Sequence, residues 1–248
     1  MINIKTADEL ECMRASGRIA ATVRDAVAER IVSGVTTLEL SEYAGELIKS
    51  HDAESAFLGY HGYPGIICSS VNEVVVHGIP NDRLIETGDI VSIDVGVRFN
   101  GFIGDTAATV MVGVTDPKVL KLVEVTRSAL AKGIAAAVDG AHLSDVSHAI
   151  EQEGIKAGFT IVREFVGHGV GREMHEEPQI PNFGPPGKGP ILRAGMTMAI
   201  EPMINMGKPG VKVLDDEWTV VTRDNKYSAH CEHTIAVTDG AAEILTKV

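Results

Sequence analysis

The chain has 248 residues, 44 % hydrophobic and 23 % charged, enough to bury one sizeable core without disulfide or metal staples. Acids outnumber bases by 34 to 22, for a formal charge of −12. With no run of Lys or Arg, that balance argues against a surface built for nucleic acid or anionic lipid. Cys12, Cys68 and Cys231 are odd in number and widely spaced, which argues against a disulfide scaffold and fits a reducing, cytoplasmic setting.

Met1 to Asp8 is charged early and lacks an apolar h-region, so no signal peptide is expected. No run of about 18 apolar residues would span a membrane. Thr6 to Glu9 reads as a capping box, and Leu10, Met13, Ile19, Ala20, Val23 and Val27 follow at helical spacing, with Gly34 expected to end the helix. A second capping box, Thr36 to Glu39, opens a helix carrying Leu40, Ala44, Leu47 and Ile48. From Ser55 the pattern turns to short β-rich runs: 71–76, then 89–97 and 102–112 joined as a hairpin across Phe99-Asn100-Gly101. Asp116-Pro117 opens a third helix, and a fourth is expected over 143–156. Strand-like runs return at 160–166, 196–200, 218–222 and 234–238. The Pro/Gly-rich stretch 178–190 reads as an ordered loop near a site or a surface excursion.

Helix, helix, strands thus occurs twice, and landmarks recur in the same order. Gly34-Val35 matches Gly140-Ala141, and His77-Gly78-Ile79 matches His168-Gly169-Val170. Gly88 to Asp94 matches Gly195 to Glu201, and Asp105-Thr106 is echoed by Glu232-His233-Thr234. The expectation is one α+β domain over 1–248, with duplicated halves of about 1–114 and 115–248 and a cleft on their symmetry axis.

The duplicated acids carry the chemistry. Asp94 lies inside the apolar run Ile90 to Val95, and Glu201 ends another, Met196 to Ile200. Ionised carboxylates in apolar strands are costly unless paired or bound to metal. A loop of Phe99-Asn100 would set Asp94 and Asp105 directly opposite each other, and an Asn100-Gly101 turn would set them diagonally. Both registers put them on one face. With Glu201 and Glu232, four carboxylates converge. Either some protonate or divalent cations enter. Two M²⁺ ions balance four carboxylates, and His168 offers a neutral nitrogen. Such a set suits Mn²⁺, Fe²⁺, Co²⁺ or Zn²⁺.

At this point a family resemblance is visible. Asn72 to Pro80, Ile93-Asp94-Val95, Gly104-Asp105-Thr106, Gly167 to Gly171, His175 to Pro178, Ile200-Glu201-Pro202 and Glu232-His233-Thr234 together resemble type I methionine aminopeptidases, over essentially the whole chain. The resemblance implies a pita-bread fold, a curved antiparallel sheet covered by helices. It also implies removal of the initiator methionine from nascent polypeptides with a small second residue. The family's five metal ligands fall on Asp94, Asp105, His168, Glu201 and Glu232. A water between two divalent ions would be acidified to attack the scissile carbonyl. Glu201 would shuttle the proton, His175 would hydrogen-bond the carbonyl oxygen, and His77 would contact the scissile nitrogen.

The methionine pocket implied by motif position comprises Phe57, Tyr60, Tyr63, Cys68, Met174 and Trp218, apolar and polarisable as a thioether requires. Phe57 stands where a small thiol is common, Met174 where an aromatic is common, and Cys231 where a tyrosine often precedes the glutamate. Those departures bear on pocket detail, not on the metal chemistry. His51, His142 and His148 read as surface residues, His61 as a neighbour of the pocket, and His230 and His233 as outer partners of the ligands. Two other readings belong to the same fold. Proline-specific aminopeptidases and prolidases usually carry a preceding domain, absent here, and a non-catalytic binding protein would be expected to lose ligands. The chain reads as a monomer that contacts no nucleic acid or membrane, with ribosome association left open.

Overall fold

The computed structural model describes residues 2–248. Helix α1 (Ala7–Glu29) begins at Thr6, whose hydroxyl accepts from the Glu9 N–H while the Glu9 carboxylate accepts from the Thr6 N–H. Helix α2 (Thr37–Ser50) repeats that reciprocal cap at Thr36 and Glu39. Helix α1 ends at Glu29, before the expected stop at Gly34. Ile31 turns into the core, and Gly34, at φ 97°, lies in the turn that follows and donates its N–H to the Ile85 carbonyl.

The first set of strands is β1 (Glu54–Ser55), β2 (Cys68–Val71), β3 (Val74–Val76), β4 (Ile90–Phe99) and β5 (Phe102–Met111). The expected single strand over 71–76 is broken at Asn72, which adopts φ 57°. Its amide donates to Asp89 at 2.7 Å and accepts from the Ile90 N–H at 3.0 Å, stapling the turn to the start of β4. Helices α3 (Pro117–Ala136) and α4 (Leu143–Lys156) follow as expected, α3 with the Asp116 cap and Pro at its first turn.

The remaining strands are β6 (Thr160–Ile161), β7 (Gly167–Gly169), β8 (Glu176–Ile180), β9 (Thr197–Ile200) and β10 (Met203–Asn205). They are followed by β11 (Val211–Val213), β12 (Val220–Thr222), β13 (Ser228–His230), β14 (His233–Ala236) and β15 (Glu243–Ile244). The expected strand over 160–166 shrinks to Thr160 and Ile161; Val162 donates one further N–H to the Met203 carbonyl of β10, and Arg163 and Glu164 then face solvent. The Pro/Gly-rich stretch is not loop throughout. Its first residues complete β8, which pairs with β7 so that Gln179 faces His168, and only the remainder runs over α4.

Strand β4 is central to one antiparallel sheet, flanked by β5 on one side and by β1 and β2 on the other. A second antiparallel sheet runs β15-β14-β9-β7-β8. Helices α1 and α2 pack Val23, Val27, Leu40 and Ile48 against Val91, Ile93 and Val95 of the first sheet. Helices α3 and α4 pack Leu122, Ile134 and Ile150 against Met198, Ile200 and Ile235 of the second. The two sheets meet where Ala107 of β5 and Glu232, just before β14, exchange backbone hydrogen bonds at 2.9 and 3.3 Å. Beside this seam the Thr234 hydroxyl both accepts from the Asp105 N–H and donates to the Asp105 carbonyl.

Two glycines let α1 lie directly on that seam. A Cβ at Gly104 would stand 2.6 Å from the Gly17 backbone, and one at Gly17 would meet the Leu245 carbonyl at 2.5 Å. The residue before Asp105 is therefore held against a helix backbone with no side chain between.

Candidate active site

The β4–β5 hairpin closes through Asn100 and Gly101, both at positive φ, so Phe99 pairs with Phe102. That two-residue turn puts Asp94 opposite Ala107 and Asp105 opposite Gly96. The two acids are therefore diagonal neighbours on one face, the second of the two registers. On the other sheet His233 pairs with Ile200, so Glu201 and Glu232 sit side by side where β9 ends and β14 begins. The Ala107–Glu232 seam then brings both acid pairs together.

His168, on β7, completes the group. Its Nδ1 is 2.9 Å from the Gly169 carbonyl, which places the proton on Nδ1 and leaves the Nε2 lone pair free. That Nε2 lies 3.7 Å from Asp105 Oδ2 and 3.6 Å from Glu201 Oε1. Ligand atoms of Asp105, His168 and Glu232 all fall within 4.8 Å of one another.

The electrostatics are those of a cation site. Burial pushes Asp94 up to about 7, and the neighbouring Glu201 carboxylate adds to the shift. Burial raises Glu201 to about 8. Asp105 and Glu232 are raised further, by burial first and then by the surrounding carboxylates. His168 is lowered to about 3, chiefly by burial, so it is a neutral nitrogen donor. Asp94 Oδ1, Asp105 Oδ1 and Glu232 Oε1 are buried and have no hydrogen-bond partner. Oxygens desolvated at this cost and left unpaired fit a divalent cation.

A pH-dependent stability follows, with a definite sign. Between about pH 4.5 and 7 the folded state without ions keeps protons on Glu201 and Asp94 that the unfolded chain has released, and on Glu201 up to about pH 8, so these groups make stability fall as pH rises. The lowered imidazoles act oppositely: His168 at about 3, His77 and His233 at about 4, and His175 and His230 all lack protons that the unfolded chain holds until about pH 7.5. From about pH 7.5 to 8.5 the raised carboxyls dominate, at about 1.4 kcal/mol for each that stays protonated throughout. Calorimetry in chelator should show Tm dropping by about 3–6 °C over that window, and divalent cation should remove the drop. A flat or rising Tm in chelator would contradict the protonated cluster.

An aromatic-walled cavity opens beside the acids, and all the site residues expected from the sequence line it. Tyr63 is buried, donates to the Gly78 carbonyl at 3.0 Å, and meets Trp218 edge-on at 5.1 Å between centroids. Asp216 orients Trp218 by accepting from its N–H and from the N–H and hydroxyl of Thr219. Phe57 is buried and T-shaped to Tyr63; its ring occupies the space a Cβ at Gly96 would need, at 2.5 Å. Cys68 pairs with Asp94 across β2 and β4, and Met174 is buried on the opposite wall. Phe165 and Val166 also line the cavity and were not anticipated. Phe165 stacks edge-on against His77 at 5.6 Å. Cys231 does not reach the cavity. It lies behind the ligand strand beside Thr109 and Arg127, so its bearing is on packing there rather than on the pocket.

The histidines divide by position. His77 adopts φ 58°, a left-handed conformation costly for a non-glycine residue, and burial lowers it to about 4. The next residue, Gly78, admits the Ser69 carbonyl 2.3 Å from where a Cβ would stand, which holds the turn in that shape. His175 Nδ1 is 2.6 Å from the Tyr60 hydroxyl, and its ring centroid is 4.3 Å from that of His168. The adjacent Glu176 anchors this loop through a buried ion pair with Lys5 at 2.6 Å and by accepting from the Arg172 N–H. His61 is exposed and packs on Tyr60, and His51 is exposed. His142 and His148 are half-buried against the 184–189 segment rather than free on the surface. His233 turns away from the acids to Thr246, whereas His230 is buried and faces Glu201.

Comparison with known proteins agrees with this geometry. The model of metallopeptidase family M24 matches residues 11–239. Methionine aminopeptidase 1 of Bacillus subtilis is 50 % identical over 248 residues, all of both chains. The crystal structure of a methionine aminopeptidase from Thermotoga maritima, 48 % identical, superposes with a TM-score of 0.99 over both full chains. Prolidase from Pyrococcus furiosus, 26 % identical, shares the fold at a TM-score of 0.81 over 99 % of this chain and 65 % of that one. The expected α+β pita-bread fold is therefore the fold of this chain, and no described helix is long and apolar enough to cross a membrane. The chain belongs to metallopeptidase family M24 and, within it, to the methionine aminopeptidases.

Proposed function

We propose that this protein removes the N-terminal methionine from nascent polypeptides whose second residue is small, in the cytoplasm, using two divalent ions held by Asp94, Asp105, His168, Glu201 and Glu232. The observation that carries the reading is a cluster of buried, partnerless carboxylate oxygens opening directly onto an apolar aromatic cavity. The two halves, about 1–114 and 115–248, would form one catalytic domain, each contributing a pair of acids.

Bound divalent ions supply Lewis acidity, acidifying a water and polarising the scissile carbonyl. The chain supplies the rest. Phe57, Tyr63, Cys68, Met174 and Trp218 take the methionine side chain, whose polarisable sulfur gains from aromatic edges. His77, neutral and fixed by its turn, contacts the scissile nitrogen. His175 donates to the carbonyl oxygen as charge develops there. Glu201, bracketed by imidazoles, takes up a proton and passes it to the leaving amine.

The test is release of methionine from Met-Ala-Ser by protein stripped with chelator and reloaded with Mn²⁺, Fe²⁺, Co²⁺ or Zn²⁺ in turn. Cleavage should require an ion. No release with any of them, or faster hydrolysis of an Xaa-Pro bond, would overturn the reading.

A further inference from the structure

The N-terminal segment is tied into the second sheet. Ile4 forms an antiparallel bridge to Met196, the residue before β9, and the Lys5 N–H donates to the Gly195 carbonyl at 2.8 Å. Thr6 then caps α1, so the Lys5 backbone is fixed on both sides. Its side chain turns inward, 5 % exposed, and pairs with Glu176 Oε2 at 2.6 Å, a contact between residues 171 apart in sequence. A buried pair of this kind adds little net stability, because both charges lose their water. What it defines is position. Glu176 Oε2 also accepts from the Asn3 amide at 3.2 Å, while Oε1 accepts from the Arg172 N–H at 2.9 Å and the Glu173 N–H at 3.4 Å. At Gly171, where the loop begins, a Cβ would stand 2.5 Å from Glu176 Oε1 and 2.7 Å from Lys5 Nζ, and the Gly171 carbonyl accepts from the Ile103 N–H of β5. Arg172 and Glu173 face solvent, so the loop takes its shape from these inner ties. Met174 and His175, between its ends, line the cavity.

We propose that Lys5 is a positioning residue for the reaction: from the N-terminal segment, and through Glu176, it holds the 171–176 loop so that the His175 N–H meets the scissile carbonyl oxygen. The inference rests on the donor role given above to His175. Lys5 touches neither substrate nor ion. Its effect comes from the fixed point it provides, since Gly195 and the start of α1 hold its backbone while its ammonium sits against Glu176 and Gly171 together. A displacement of about 1 Å in a group that meets the reacting atoms is enough to slow a reaction severely, even when its cause is remote.

The test is a double-mutant cycle on full-length protein, loaded with whichever of the four ions best activates it and assayed on Met-Ala-Ser. Its members are the wild type, Lys5→Met, His175→Ala and the two substitutions together. Lys5→Met keeps the apolar stem and removes the charge. It should lower kcat about tenfold, with metal content and KM little changed. In the His175→Ala background the same substitution should cost less than about twofold, because the group it positions is gone. Equal losses in the two backgrounds would show a merely structural role and overturn the Lys5 assignment alone, as would an unchanged kcat in Lys5→Met. If circular dichroism shows Lys5→Met unfolded, Lys5→Met/Glu176→Gln, which buries no unpaired charge, takes its place in the cycle with the same expected readings. Full activity in His175→Ala, or wild-type protein that releases no methionine with any ion, would overturn the reading of the site and the proposal with it.

Discussion

Asp105→Asn should lower activity on Met-Ala-Ser by more than about 100-fold and leave the purified protein short of metal, while its fold in chelator is as stable as the wild type or more so. The two halves of that result have one cause. Asp105 is buried at the centre of the acid group, with Oδ2 3.7 Å from His168 Nε2 and Oδ1 without a partner. Two carboxylates about 4 Å apart repel by about 4 kcal/mol at an effective dielectric near 20, and Asp105 has Asp94, Glu201 and Glu232 as neighbours. An amide of the same shape removes both that repulsion and the proton uptake that relieves it when no ion is bound, and adds a donor toward the remaining carboxylates, so the ion-free fold gains. It also removes a unit of charge and an anionic ligand, so ions are lost. Metal analysis, kcat/KM and Tm in chelator are the three readings. A metal-replete, fully active variant would falsify the ligand role, and an unfolded one would show that Asp105 serves structure first.

How far the sequence reached can be traced through the same residues. Asp94 and Asp105 were legible as a pair because side-chain direction alternates along strands, so an odd separation across a tight hairpin places both on one face in either register. Asn100-Gly101 then chose between the registers through its positive φ values, a matter of turn chemistry. Glu201 and Glu232 were reachable only by the repeat of landmarks. What joins them to the first pair, the exchange of hydrogen bonds between Ala107 and Glu232, is a contact between distant backbone segments with no local signature. The same holds for Phe165 and Val166. They lie in an irregular stretch after β6, where neither period 2 nor period 3.6 indicates a buried side chain. The break at Asn72 was missed for a different reason. Valine-rich flanks favour one continuous strand, and the amide bonds to Asp89 and Ile90 override that preference from the next strand.

His175→Ala should cut kcat by about 10²-fold or more, with metal content unchanged and KM little affected, as for loss of a donor whose hydrogen bond strengthens in the transition state. The structure indicates which nitrogen donates. Burial, and then the nearby Glu173 carboxylate, raises the Tyr60 phenol, so it remains an O–H donor at neutral pH. With the phenol as the donor in that 2.6 Å contact, His175 Nδ1 accepts and the imidazole proton sits on Nε2. Burial lowers His175 as well, with a contribution from His61, so the ring is neutral and has one N–H to offer. The loop is held independently of the ring, because the neighbouring Glu176 is fixed by Lys5 and by the Arg172 and Glu173 amides. Alanine should therefore delete the donor without moving the backbone. Tyr60→Phe leaves the imidazole in place but frees its tautomer, and should cost less, about tenfold in kcat. Equal losses in the two variants would mean that Tyr60 acts on substrate directly, and an unchanged kcat in His175→Ala would remove His175 from the reaction.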